Sequence, residues 1–564
     1  MSLYRQVIEI KPDFAGAYNN LGTLLMLQGQ YAEALINFIN VVSLEPKVFI
    51  GHCNIGNVLR LQNRLDDAAI HIRHAIALEP KNAQLHLNFA LLLKDLGELE
   101  SSAAETKKAL QLRPDLVDAY LNLGHIRFLQ GELSESIELR RKALKLNPKH
   151  AEAESALYFS MHYLAEYSPD DLLVAAQNWV AHHTSLERLL PKPGNSPDPQ
   201  RRLRIGYVSG DFCGHPVACF IEPVLAHHDK SQYEVYCYYN NNKYDAITER
   251  LQRYADHWRL VAGASDEKLA QQIRDDAIDI LIDLSGHTDR NRLLTFALKP
   301  APVQATWIGA PATTGLPSMD YIIADRFAIS PEEERYYAEK VVRLPNAYEC
   351  FSPPEYPIEP GPLPAFTAGK VTFGCFNNPA KVSKTVIACW SKLLRAIPEA
   401  QLIFKYKAYG DTGVHKRFHS LFAEQGIEKE RIKLFGYSPR DEFLAAYHEV
   451  DIALDPFPYN GGLTTLESLW MGVPVLTLRG DRFVSHSRSI LMNIGLGECV
   501  AGTEDEYVNK AVNLASDLPR LATLRSELRS QLLNSPLCNG SGFTRDLEAA
   551  YRTMWETWCG NTLN

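Results

Sequence analysis

Hydrophobic positions in the first 150 residues recur with helical spacing and are interrupted by a proline every 34 residues. These are Pro12, Pro46, Pro80, Pro114 and Pro148, each closing a pattern such as "FINVVSLEP" or "RRKALKLNP". Small residues keep the same period: Gly22, Gly56, Ala90 and Gly124; Gly29, Asn63, Gly97 and Gly131; Ala34, Ala68, Ser102 and Ser136. Small side chains let two helices cross closely, and a proline ends each unit. The pattern predicts stacked helix–turn–helix repeats of the tetratricopeptide period. One polar column shares the period, Asn20, Asn54, Asn88 and Asn122. Packing accounts for it if each amide bonds a helix end. As a ladder, the same amides would grip the backbone of an extended polypeptide, since each offers a donor and an acceptor.

Helical patterning runs on through "AEAESALYFSMHYLAEY" and "DDLLVAAQNWVAHHTSLERLL" and breaks at "PKPGNSPDPQ", residues 191–200. Beyond that linker the period shortens. Apolar β-rich runs ("LRIGYVSG", "YEVYCYYN", "DILIDLSG", "VQATWIG") alternate with amphipathic helical stretches. A proline-rich passage, residues 352–369, divides this half. The alternation then resumes with "KVTFGCFNN", "QLIFKYKAY", "RIKLFGYS", "DIALDPFPY" and "PVLTLRG". Alternating strands and helices imply parallel sheets covered on both faces. The predicted fold class is α plus α/β, with three parts. Residues 1–190 carry the repeats and transitional helices; 201–365 and 366–564 form two Rossmann-like doubly wound lobes, the second with closing helices.

Composition narrows the function classes. Over 564 residues, 46% are hydrophobic and 22% charged, and no apolar stretch is long enough to span a bilayer. The start lacks a signal-peptide core, and ten scattered cysteines without a CxxC pair suit a reduced, cytoplasmic protein. A net charge of −9 with no basic stripe argues against nucleic acid as a partner.

Ligands of doubly wound sheets bind beyond the carboxyl ends of the strands, and the residues there are His, Lys, Thr, Arg and Gly. His215 follows the first strand run, His287 the run "DILIDLSG", and Thr313 and Thr314 the run "VQATWIG". Asn378 and Lys381 follow "VTFGCF"; Ser438 and Arg440 follow "IKLFGY". The junction "DPFPYNGGLTTLESLW" places Gly461, Gly462, Leu463 and Thr464 where a helix begins. Bare amides at a helix start bind anions, and a lysine nearby would offset the charge of a departing diphosphate. Glu467, one turn on, would accept from a ribose diol, or would cap the helix with Thr464. His215 would take a proton near neutral pH, or would be structural. Neither an Asp-x-Asp pair, nor His-Glu-x-x-His, nor a P-loop is present, so a metal-clamped diphosphate has no support in the motifs.

The combination of tetratricopeptide repeats with "RIGYVSGDFCGHP", "ILIDLSGHT", "KPAPVQATWIGAPATTG", "CFNNPAKVS" and "DIALDPFPYNGGLTTLESLWMGVPVLTL" resembles glycosyltransferase family 41, the protein O-GlcNAc transferases. The resemblance covers essentially the whole chain. It implies a GT-B pair of lobes behind a repeat superhelix, and inverting transfer of GlcNAc from UDP-GlcNAc to Ser or Thr hydroxyls of polypeptides, without a metal or other cofactor. By motif, His215 matches the histidine named as general base in a family where a donor phosphate is the rival. Lys381 matches the diphosphate lysine, and Asn378 a position near the phosphates. Gly461 to Thr464 match the helix start that holds the phosphates, and Glu467 the ribose acid. Ser438 and Arg440 match the segment at the uracil edge, and Pro311 to Gly315, with His287 nearby, a wall of the sugar and acceptor pocket. Phe443 stands where the family commonly stacks a histidine on uracil, so it can stack but offers no polar contact. A branch of the family uses GDP-fucose, which leaves that donor open. A repeat scaffold whose catalytic half binds nucleotide without turnover, and a nucleotide-sugar epimerase, are the other readings.

Overall fold

A computed structural model describes residues 1–185, 190–191, 193–310, 312–480 and 485–563. The chain divides into two compact units, Met1–Pro148 with Gly410–Val414, and Lys149–Tyr409 with His415–Asn564.

Nine helices, from Ser2–Ile10 to Leu133–Leu146, fill the first unit as successive antiparallel pairs. The small-residue columns sit at the crossings. A Cβ on Gly56 would lie 2.4 Å from Ile72 Cγ1, and one on Gly22 2.8 Å from Phe38. Ala34 and Ala68 are wholly buried. In the later repeats serines take that place: Ser102 Oγ donates to the carbonyl of Ala90, and Ser136 Oγ to that of Gly124, both at 2.6 Å. Gly29, Asn63, Gly97 and Gly131 share left-handed backbone, φ 75°, 59°, 87° and 79°. That conformation explains why the column accepts only glycine and asparagine.

The second unit holds two parallel sheets. In the first, β1 (Leu203–Ser209), β2 (Tyr233–Tyr239), β3 (His257–Leu260), β4 (Ile280–Asp283), β5 (Val303–Thr306), β6 (Tyr321–Ala324) and β7 (Lys340–Arg343) lie in the order β3-β2-β1-β4-β5-β6-β7. In the second, β8 (Thr372–Cys375), β9 (Gln401–Lys405), β10 (Ile432–Phe435), β11 (Ile452–Leu454), β12 (Val475–Leu478) and β13 (Val500–Ala501) lie in the order β10-β9-β8-β11-β12-β13. Strand order reverses beside β1 and beside β8. The crevices of both sheets therefore open there.

Two boundaries differ from those expected. The helices Ala151–Met161 and Pro169–His183 belong with the first sheet and not with the repeats: Trp179 is part of its core, and Tyr158 donates to the carbonyl of Thr313 at 3.0 Å. The final helix, Gly540–Leu563, leaves the second lobe and packs on the first. There Glu548 accepts from His228 at 2.8 Å and from the Asp229 amide at 2.9 Å, while Tyr551 meets Tyr207 hydroxyl to hydroxyl at 3.2 Å. Helical periodicity cannot say which sheet a helix covers, so sequence order alone misplaced both.

Candidate active site

Two loops flank the crevice of the second sheet. One follows β8. Asn378 caps a short 3-10 turn, Pro379–Lys381, by accepting from the Ala380 amide at 3.0 Å, and the turn ends on Lys381. The other follows β11. Buried Asp455 accepts from the Gly461 amide and from Thr477 Oγ1, both at 2.7 Å, and so bends the chain into the helix Leu463–Trp470. The opening turn of that helix has no side-chain cap. Thr465 and Leu466 donate back to Gly462, which leaves the amides of Gly462, Leu463 and Thr464 without a partner among the described residues. Three adjacent open donors at a helix N-terminus form an anion cradle. Gly461 is required by space: a Cβ would lie 2.7 Å from Thr464 Oγ1 and 2.9 Å from Asp455.

Lys381 reaches this turn. Its Nζ donates to the carbonyl of Asn460 at 2.7 Å and lies 4.9 Å from the centroid of the Tyr459 ring. Tyr459 in turn stacks on Tyr163, centroids 4.3 Å apart and planes 12° from parallel. Burial pulls the Lys381 ammonium down to about 8, against the opposing pull of Asp455 and Cys375. A buried cation that is costly to hold gains most from an anion beside it. Tyr459 escaped the sequence reading, although an aromatic directly before an Asn-Gly-Gly turn was the visible signal. Asn377 escaped as well: its Oδ1 accepts from Thr464 Oγ1 at 3.1 Å, whereas Asn378 only shapes the turn.

The residues expected on the nucleotide side lie on the same lobe. Glu467 is buried and ion-paired with Arg440, and it does not cap the helix. Phe443 packs edge-on against Phe376 at 5.4 Å, with the Arg440 guanidinium 5.4 Å over its ring. Ser438 Oγ is buried without a partner among the described residues, a polar atom left for a ligand. Across the crevice, His215 caps the helix Pro216–His227 through Nδ1, which accepts weakly from the Val217 amide at 3.4 Å, with Asp211 at 3.7 Å. Partial burial lowers its pKa, opposed by Asp211. Its Nε2 edge stays available, since the side chain is 44% exposed. Cys219 lies one turn further along this helix.

Three expected pocket residues point elsewhere. His287 is a core histidine: Ser155 Oγ meets Nδ1 and the carbonyl of Thr314 meets Nε2, each at 3.0 Å, and burial drives its pKa down to about 4. Thr313 and Thr314 turn their hydroxyls onto buried Glu339, at 2.7 and 2.5 Å. A buried carboxylate needs such donors, and that demand outweighs exposure to a cleft. Pro311 lies outside the described residues. The asparagine column is also uneven. Asn20 is exposed, Asn54 donates to Asn19 at 2.8 Å and Asn88 to Cys53 Sγ at 3.2 Å, while Asn122 is buried on Thr106 at 2.9 Å.

Repeats ahead of two Rossmann-like lobes, with open amides at a strand-order reversal and a lysine beside them, define a repeat-bearing protein whose second lobe has a cradle suited to an anion. Comparison with known proteins narrows that class: the chain belongs to glycosyltransferase family 41, whose model matches residues 182–351 and 365–547. Tetratricopeptide models match residues 3–36, 91–131 and 117–150. A curated relative from Petunia hybrida, named "Probable UDP-N-acetylglucosamine--peptide N-acetylglucosaminyltransferase SPINDLY", is 42% identical over 406 residues, 71% of this chain and 44% of its own length. The Arabidopsis thaliana relative of the same activity named SEC is 32% identical over 371 residues, 64% of this chain and 38% of its own. The chain thus spans less than half the length of these relatives. A mutant of the Thermobaculum terrenum O-GlcNAc transferase has a similar structure, with TM-score 0.86 and 37% identity, covering 91% of this chain and 98% of that one.

Proposed function

We propose that this chain is an inverting glycosyltransferase that moves N-acetylglucosamine from UDP-GlcNAc to Ser or Thr hydroxyls of polypeptides, the acceptor being guided by the repeats. The carrying observation is the trio of open amides at Gly462, Leu463 and Thr464 beside Lys381. Amides and ammonium together neutralise a diphosphate, the leaving group of such a transfer, so the charge work needs no metal. The acceptor hydroxyl attacks the anomeric carbon, the bond to the diphosphate oxygen breaks, and its electron pair leaves with the nucleotide. His215 or a donor phosphate oxygen takes the proton. No helix among the described residues is long and apolar enough to cross a membrane; a cytoplasmic location is part of the same proposal.

One observation favours a second donor. The aromatic at the base-stacking position is Phe443, partly roofed by Arg440, and a purine diphosphate such as that of GDP-fucose would stack there as well. A thermal-shift panel with UDP, GDP and UDP-GlcNAc separates the two, because ligand at a hundredfold its Kd stabilises by about 2.7 kcal/mol. Protection by UDP and UDP-GlcNAc supports the first reading. Protection by GDP alone transfers the assignment to the second. A chelator should leave transfer unchanged; its loss would contradict the metal-free reading.

A further inference from the structure

Behind the anion cradle lies a group of side chains for which the donor reading has no use. The helix His486–Asn493 braces the turn from below: Ser485 Oγ donates to Asn460 Oδ1 at 2.9 Å, and Ser487 Oγ to the carbonyl of Gly461 at 2.8 Å. Between these two serines, the His486 ring lies against Gly462, whose Cβ, if present, would sit 3.5 Å from Nδ1. The same nitrogen is held by the first lobe. It bonds the carboxylate of Glu349, and the Tyr348 hydroxyl lies 2.5 Å away; that hydroxyl also donates to Glu349 at 2.7 Å. Glu349 is 1% exposed and His486 9%.

Nε2 of His486 makes no hydrogen bond to any described residue, and its ring lines a small cavity with Tyr348, Thr306, Trp307, Ile308 and Ala310. Thr306 ends β5, and Trp307, Ile308 and Ala310 belong to the loop after it. It is a strained loop, for Ile308 is β-branched and yet has φ 50°. A carboxylate at Nδ1 fixes the orientation and tautomer of an imidazole, so Nε2 is a hydrogen-bonding atom of defined direction. The ring itself is placed between Gly462 of the cradle on one lobe and the loop after β5 on the other. A sugar attached to a diphosphate in that cradle has hydroxyls to satisfy there.

We propose that His486, anchored by Glu349 and Tyr348, binds a hydroxyl of the transferred sugar through Nε2 and thereby helps set sugar specificity. The proposal rests on the nucleotide-sugar reading above. His486→Asn tests it, since an amide N–H can replace Nδ1–H toward Glu349 while nothing replaces Nε2. Calorimetric Kd values for UDP and UDP-GlcNAc, with GDP and GDP-fucose in parallel, are compared between wild type and variant. The expected result is an unchanged melting temperature, nucleotide affinity within about twofold, and nucleotide-sugar affinity weaker by about tenfold. Equal losses for nucleotide and nucleotide sugar, or no loss for either, would overturn the specificity role and leave the transferase reading standing. A wild-type protein that binds none of the four ligands would remove both.

Discussion

Among single residues, the proposed chemistry rests most on Lys381. It lies at the turn whose Gly462, Leu463 and Thr464 amides have no partner among the described residues, and burial brings its pKa down to about 8. Below that pH the ammonium is charged and attracts a diphosphate; above it the free site loses the charge. Nucleotide affinity should therefore be nearly flat from pH 6.5 to 7.5 and weaken by up to about tenfold per unit above 8, levelling off where the complex, whose anion raises the lysine pKa, loses the proton as well. Calorimetry across that range checks it, and Lys381→Ala should abolish the pH dependence. The same variant should retain measurable UDP binding but lose at least about a hundredfold in kcat, because the stabilised charge develops in the transition state. Unchanged turnover would remove Lys381 from the mechanism. Lys381 was legible only in combination, from its place after a strand, the bare helix start nearby and the family motif, since a lone loop lysine is usually just solvated. Glu349 was not, although a lone acid in "NAYECF" is a signal in hindsight: buried carboxylates have partners, and the partner, His486, is distant in sequence.

Within elements, backbone packing decides which substitutions are tolerated. Gly461 and Gly462 look alike in the sequence and differ in space. Gly461 faces Thr464 and Asp455 at 2.7 and 2.9 Å, whereas Gly462 meets only His486, at ordinary contact distance. Gly461→Ala should cost more than tenfold in nucleotide affinity, and Gly462→Ala no more than about threefold, read by calorimetry. In the repeats, Gly56→Ala would push a methyl to 2.4 Å from Ile72. It should destabilise by about 1–3 kcal/mol in urea unfolding. The repeat elements were readable because one constraint, close helix crossing, recurs every 34 residues. The asparagine column shows where that logic stops. Its period is genuine, but the local partners of Asn54, Asn88 and Asn122 differ from repeat to repeat. Likewise His287, Thr313 and Thr314 stand after strands yet turn inward, since strand-end position does not specify which way a side chain points.

Across the second unit, the two lobes are tied together by elements that sequence order assigns to one lobe only. The last helix returns to the first sheet, and its Glu548 satisfies buried His228 and the Asp229 amide at once. Glu548→Ala should cost about 2–4 kcal/mol in global stability by leaving both donors unpaired, while nucleotide affinity under native conditions stays within about twofold. The two-lobe fold was evident from the alternation of strands and helices. The crossing of this helix, and the seating of the helices Ala151–Met161 and Pro169–His183 on the first sheet, emerged only from three-dimensional packing. In the proposed function, the Gly462–Thr464 cradle and Lys381 serve transfer of a sugar to protein. Incubation of the full chain with radiolabelled UDP-GlcNAc and a library of Ser- and Thr-containing peptides tests this most directly. Label on peptide hydroxyls, lost with Lys381→Ala, is the predicted result; neither labelled peptide nor donor hydrolysis under conditions where UDP binds would contradict it.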